Sequence, residues 1–141
     1  MIYHLVTETE YLQSIGDQSY APASLSRDGF VHCALEVSVI AVANDYYANV
    51  ADRLLLLQIV PEKLKAQTRY ETAKPGAGAG TAHKGTSPVF PHVFGPIDNC
   101  AVSGVGVLRR GEAGYVWPQE FAPLGEYLRG KSTTTAAPKG K

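Results

Sequence analysis

Gly29-Phe30-Val31-His32-Cys33 carries a histidine and a cysteine at the end of a short apolar run, just ahead of a segment with helical spacing. Residues of this kind, alternating along an extended chain, place one polar group on a face that is otherwise built for burial. Two other segments have the same character: Ile2-Tyr3-His4-Leu5 at the start of the chain and Phe90-Pro91-His92-Val93-Phe94-Gly95-Pro96 far downstream. Three of the four histidines therefore stand among aromatic and aliphatic residues. The pattern predicts a half-buried polar pocket in an apolar frame.

Around this stretch the chain reads as alternating strands and helices. Ile2 to Val6 is a buried first strand, with His4 on the same face as Ile2 and Val6. Thr7 followed by Glu10 forms a capping box that starts a helix, with Tyr11, Leu12 and Ile15 on its core face and Gly16 as its stop. Asp17 to Asp28 is polar and reads as an ordered loop or an irregular edge strand. Leu35, Val39, Val42, Ala43, Tyr46 and Val50 fall at helical spacing. Leu54 to Val60 is apolar on both faces and belongs at the centre of a sheet, closed by Pro61, which opens a single helical turn. Arg69-Tyr70-Glu71 reads as a short strand. Phe90 to Gly95 reads as an extended edge, since proline cannot donate to a ladder. Cys100 to Leu108 is the final strand, where Gly104 and Gly106 fit a bulge or a close approach of backbone.

Thr72 to Pro88 is rich in glycine and alanine and is expected to be a mobile loop, in the role of a lid. Its Gly76-Ala77-Gly78-Ala79-Gly80 run follows no strand-to-helix junction, which excludes a dinucleotide fingerprint. Residues 1–110 are expected to form one globular domain. Residues 111–141 form a C-terminal extension with an apolar patch, Tyr115 to Leu128, and an end expected to be disordered.

Composition narrows the functional classes. The 141 residues, 45% hydrophobic and 18% charged, suffice for one core. Thirteen basic residues balance thirteen acidic ones, so there is no overall field to hold a nucleic-acid backbone. The longest apolar run falls far short of the ~20 residues of a membrane-spanning helix. Two cysteines without CxxC spacing and no secretory pattern point to a soluble, cytoplasmic protein.

Histidine exchanges protons near neutrality, which makes His32 and His92 the candidate catalytic residues. Ser24 and Ser26 are candidates to bond a ribose or phosphate oxygen, Tyr46 and Phe94 to line the ligand, and His4 to orient it. Arg53 and Arg69 could meet a phosphate. His32 and Cys33 are neighbours on a strand and point to opposite faces, which disfavours a shared ion; three histidines alone could still make an open zinc site, but no metal is assigned. Cys33 reads as a buried, inert thiol.

The order of Ile2-Tyr3-His4-Leu5, Tyr20-x-Pro22-x-Ser24-Leu25, Gly29-Phe30-Val31-His32-Cys33 and Phe90 to Pro96 resembles the domain of unknown function 952 family over about Met1 to Leu108. That family is grouped by fold with the ADP-ribosyltransferases. The resemblance implies an α+β fold of split antiparallel sheets with two main helices, clasping NAD or an ADP-ribose-like nucleotide as a substrate. It implies that His4 contacts a ribose. The chain departs from those transferases in having no glutamate between Pro88 and Leu108, where His92 stands instead, and Ala34 replaces a serine of the family. RNA 2'-phosphotransferases of the same fold use histidine and arginine without that glutamate. A small-molecule nucleotide is thus the expected partner, with a non-catalytic binding module or an RNA 2'-phosphotransferase-like enzyme as the other readings. Oligomeric state is left open.

Overall fold

The computed structural model describes residues 1–72 and 87–136. The glycine-rich loop and its lid role lie largely outside the described residues, as do residues 137–141.

The fold is α+β, and the described residues form two three-stranded antiparallel sheets, with two shorter pairs of strands beside them. In the first, β4 (Leu54–Ile59) lies between β1 (Ile2–Thr7) and β8 (Val102–Val107). Leu55, Leu57 and Ile59 face one hydrophobic cluster with Ile2 and Val6, while Leu54 and Leu56 face a second with Tyr3 and Leu5. Coverage on both faces explains why β4 is an unbroken leucine run rather than an alternating one. The second sheet places β6 (Val89–Val93) between β3 (Val31–His32) and β5 (Thr68–Thr72). Val31, Cys33 and Val93 turn into the first cluster and join the two sheets.

β6 is therefore a middle strand, not the edge that its prolines predicted. The Cys33 amide donates to the Pro91 carbonyl at 3.0 Å, and the Phe94 amide to Gln67 on the β5 side at 2.9 Å. The missing donor of Pro91 thus faces Cys33, where β3 ends and the chain leaves to bridge Tyr3 through Ala34. The proline sits at the one place where the ladder has already stopped.

Among the described residues there are four helices, where two main ones were expected. α1 (Glu8–Ser14) starts as predicted, with Thr7 Oγ1 accepting from the Glu10 amide, but Leu12 is exposed and only Tyr11 is fully buried. α2 (Ala23–Asp28) occupies part of the segment read as a loop, which also supplies β2 (Ser19–Tyr20), paired with β7 (Ile97–Asp98). This helix is short, buries no residue fully and ends on Gly29 at φ 86°, so no apolar periodicity announces it. α3 (Glu36–Tyr46) follows β3 as expected, packing Val39 and Ala43 on the first sheet.

Beyond β8 the expected final strand gives way to a hairpin, β9 (Arg109–Gly111) and β10 (Gly114–Val116). It clamps the end of α3: the Arg110 guanidinium donates to the carbonyls of Ala48 and Val50, and the Tyr115 amide to Asn44. Gly114 holds φ 120° with Asn44 so close that a Cβ would meet it at 2.6 Å. Trp117, Phe121, Leu124 and Tyr127 then pack against the two clusters. α4 (Leu124–Ala136) runs into the stretch expected to be disordered. No helix among the described residues is long and apolar enough to cross a membrane.

Candidate functional site

A cleft of about 1100 Å³ has His4, Tyr20, Ser24, Phe30, His32, Cys33, Tyr46, Arg69, Glu71, His92 and Phe94 among its lining residues. The pairing register explains how its second-sheet wall is built. His32 lies opposite His92, and His92 opposite Arg69. Directly paired residues share a face, so these three side chains form a row across the strands. Phe30 and Phe94 belong to the neighbouring row, and Glu71 and Phe90 to the next. The alternate residues, Val31, Cys33 and Val93, go into the core. One strand period thus separates chemistry from packing.

The two histidines are tied to carboxylates. His92 Nδ1 bonds Glu71 Oε1 at 2.5 Å, and His32 Nε2 bonds Asp28 Oδ2 at 2.8 Å. Their ring centroids are 5.7 Å apart. Phe30 stacks on His92 at 4.0 Å and touches His32 at 4.6 Å, so an apolar ring braces both imidazoles. His92 Nε2 and His32 Nδ1 have no protein partner among the described residues. A carboxylate takes the N–H of a neutral imidazole, which leaves the opposite nitrogen bare to accept a proton. Asp28 is shared with Arg27, whose guanidinium and His32 together hold the carboxyl below the usual range.

His4 stands differently. Its Nδ1 lies 2.6 Å from the His32 carbonyl and its Nε2 lies 2.8 Å from the Tyr20 hydroxyl. A carbonyl can only accept, so Nδ1 carries the hydrogen and Nε2 accepts from Tyr20. Burial lowers the His4 pKa to about 4, against a weaker raising effect from the His32 carbonyl, which keeps the ring neutral. His4 lines the cleft, but both its nitrogens are taken by protein groups. The ribose contact implied by the family resemblance is thus replaced, at these atoms, by a hold on the backbone of His32.

Of the other candidates, Ser24 lines the cleft from α2, whereas Ser26 is exposed and does not line it. Tyr46 is exposed at the cleft, and Tyr47 packs against the second cluster. Arg53 faces Glu8 and lies outside the cleft, while Arg69 lies inside it over the Phe94 ring at 4.9 Å. Burial pushes the Cys33 thiol up to about 12, as suits an unreactive core residue. Among the described residues no three His, Cys, Asp or Glu side chains are grouped to hold a metal.

Sequence reasoning missed Asp28, Glu71 and the bracing by Phe30. Asp28 precedes His32 by four residues, but the left-handed turn at Gly29 is what brings them together. Glu71 reaches His92 only through the β5–β6 register, which no local pattern encodes.

No curated protein matches the chain. The fold is similar to that of protein CC0527 from Caulobacter crescentus, seen in an X-ray structure with TM-score 0.63 and 22% identity, covering 91% of this chain and 97% of that one. The X-ray structure of a double mutant of the same protein gives TM-score 0.62 with equal identity and coverage. A family model described as "Protein of unknown function (DUF952)" matches residues 5–105, a span that takes in α2, His32, His92 and their carboxylates but starts just after His4, and the chain belongs to that family.

Proposed function

We propose that the cleft binds a nucleotide-like small molecule of the NAD or ADP-ribose class, and that His32 and His92 move protons at its reacting end as part of a divergent transferase. One observation carries this reading: two imidazoles on one cleft wall each hold a carboxylate through one nitrogen and leave the other without a protein partner among the described residues. Such a pair supplies both halves of acid–base transfer. One ring accepts the proton of a nucleophile while the other, protonated, gives one to the leaving group, and each carboxylate stabilises the imidazolium as it forms.

The remaining groups fit the same ligand class. Phe30 and Phe94 offer ring faces on which a base or a nicotinamide can stack. Ser24 and Tyr46 border the cleft with hydroxyls suited to a ribose. The glutamate absent between Pro88 and Leu108 has a counterpart in Glu71, delivered beside His92 from β5. His4 contributes by fixing the carbonyl of His32.

The test is binding of NAD and ADP-ribose by calorimetry, together with release of nicotinamide from NAD, in the native protein and in His92→Ala. The expected result is binding in the native protein and a loss of turnover by about a hundredfold or more in the variant, with the melting temperature within a few degrees. Binding without turnover would make the protein a binding module, and binding of neither ligand would end the nucleotide reading.

A further inference from the structure

We infer that the row Arg69, His92, His32 includes a phosphate subsite, so that a phosphate or diphosphate of the ligand lies along this wall of the cleft, next to the reacting end. This deepens the nucleotide reading above and rests on it for the rest of the ligand.

The first ground is the row itself. β5, β6 and β3 pair so that the three basic side chains stand in line on one face, Arg69 opposite His92 and His92 opposite His32. Paired positions of an antiparallel ladder are ~4.5–5.5 Å apart at Cα, so the row spans roughly 10 Å. That length accommodates two linked phosphates lying across the strands.

The second ground is what each member leaves open. Among the described residues the Arg69 guanidinium makes no hydrogen bond or ion pair; its one partner is the Phe94 ring, 4.9 Å away. A guanidinium has five donors and no acceptor, and stacking on an aromatic face holds its plane without using any of them. Its fork thus keeps every N–H unspent, which suits the paired oxygens of a phosphate. The two histidines add one uncommitted nitrogen each, which donates to a phosphate oxygen once the ring is protonated.

The third ground is the placement of negative charge. Glu71 and Asp28, the carboxylates nearest the row, are each bonded to its histidines, and Asp28 also to Arg27. Glu10, on α1, is the other carboxylate lining the cleft. The uncommitted atoms along the row are therefore nitrogens. With its histidines protonated, such a wall stabilises an anion.

The experiment measures binding of inorganic pyrophosphate, ADP-ribose and nicotinamide riboside, which lacks phosphate, to the native protein, Arg69→Gln and Arg69→Lys. Arg69 is exposed, and equal melting temperatures establish that the variants fold. The expected result is pyrophosphate and ADP-ribose binding weakened roughly tenfold or more in Arg69→Gln, partial recovery in Arg69→Lys, and riboside binding unchanged. Arg69-dependent pyrophosphate binding without any ADP-ribose binding would keep the subsite and discard the nucleotide reading. ADP-ribose binding that is indifferent to Arg69→Gln would keep the nucleotide reading and overturn the subsite, as would a native protein that fails to bind pyrophosphate.

Discussion

His4 joins two groups with opposite requirements, the carbonyl of His32, which needs a donor, and the hydroxyl of Tyr20, which needs an acceptor. Only the neutral ring meets both. Its folded pKa of about 4 lies below the ordinary 6.5, so between these values the unfolded chain binds a proton that the folded one refuses. Stability from this residue is complete above pH 6.5 and is lost as pH falls through 4. A shift of this size corresponds to about 3 kcal/mol. His4→Phe keeps an aromatic ring but strands the carbonyl and the hydroxyl, which should remove roughly 2–4 kcal/mol at neutral pH. Urea unfolding of both proteins at pH 7.5 and 4.5 checks it: the variant should lose less stability than the native protein on acidification. Equal losses would show that His4 is not the group responsible. The alternation of Ile2 to Val6 was enough to put His4 on the correct face, but its partners come from residues 16 and 28 positions away and left no trace beside it.

Short-range pattern determines a good part of the secondary structure. The Thr7 cap, the leucine strand and the helix after β3 each follow from residues within a few positions, where side-chain period and capping chemistry act. α2 was hidden because it is six residues long and buries none of them fully, leaving only Gly29 to mark its end. Pro91 misled because the rule against proline in central strands concerns a missing donor, and here that donor faces the end of a strand. Gly104 and Gly106 were legible as places of close approach, though not what approaches. An added Cβ would meet Phe121 at 2.8 Å in one case and Pro118 at 2.8 Å in the other. Gly106→Val should therefore lift the 117–122 segment from β8 and remove about 1–3 kcal/mol, the usual penalty of overpacking. Trp117, the single tryptophan, reports this directly: its fluorescence should shift to the red, and an unmoved spectrum would mean that the segment yields elsewhere.

The chain closes on itself through contacts between distant parts. α4 is fixed to α1 at Glu8, which accepts from the Tyr127 hydroxyl at 2.5 Å and pairs with Lys131 at 2.9 Å. Burial raises the Glu8 pKa, but Tyr127, Lys131 and Arg53 together outweigh it and hold the carboxyl below the usual range. The matched family span ends at residue 105, yet Phe121, Leu124 and Tyr127 help to cover both clusters. The two sheets, for their part, meet within a single peptide unit. The Cys33 amide belongs to the second sheet, through Pro91, while the next residue, Ala34, exchanges hydrogen bonds with Tyr3 in both directions, at 2.7 and 2.9 Å. Strand ends ordinarily fray and let their amides trade protons with solvent early. Here the ends of β1 and β3 serve as a seam between sheets, so isotope exchange should follow a different order. The amides of Tyr3, Cys33 and Ala34 should stay protonated in deuterated water about as long as those of Leu55 to Leu57, and exchange only when both sheets come apart together.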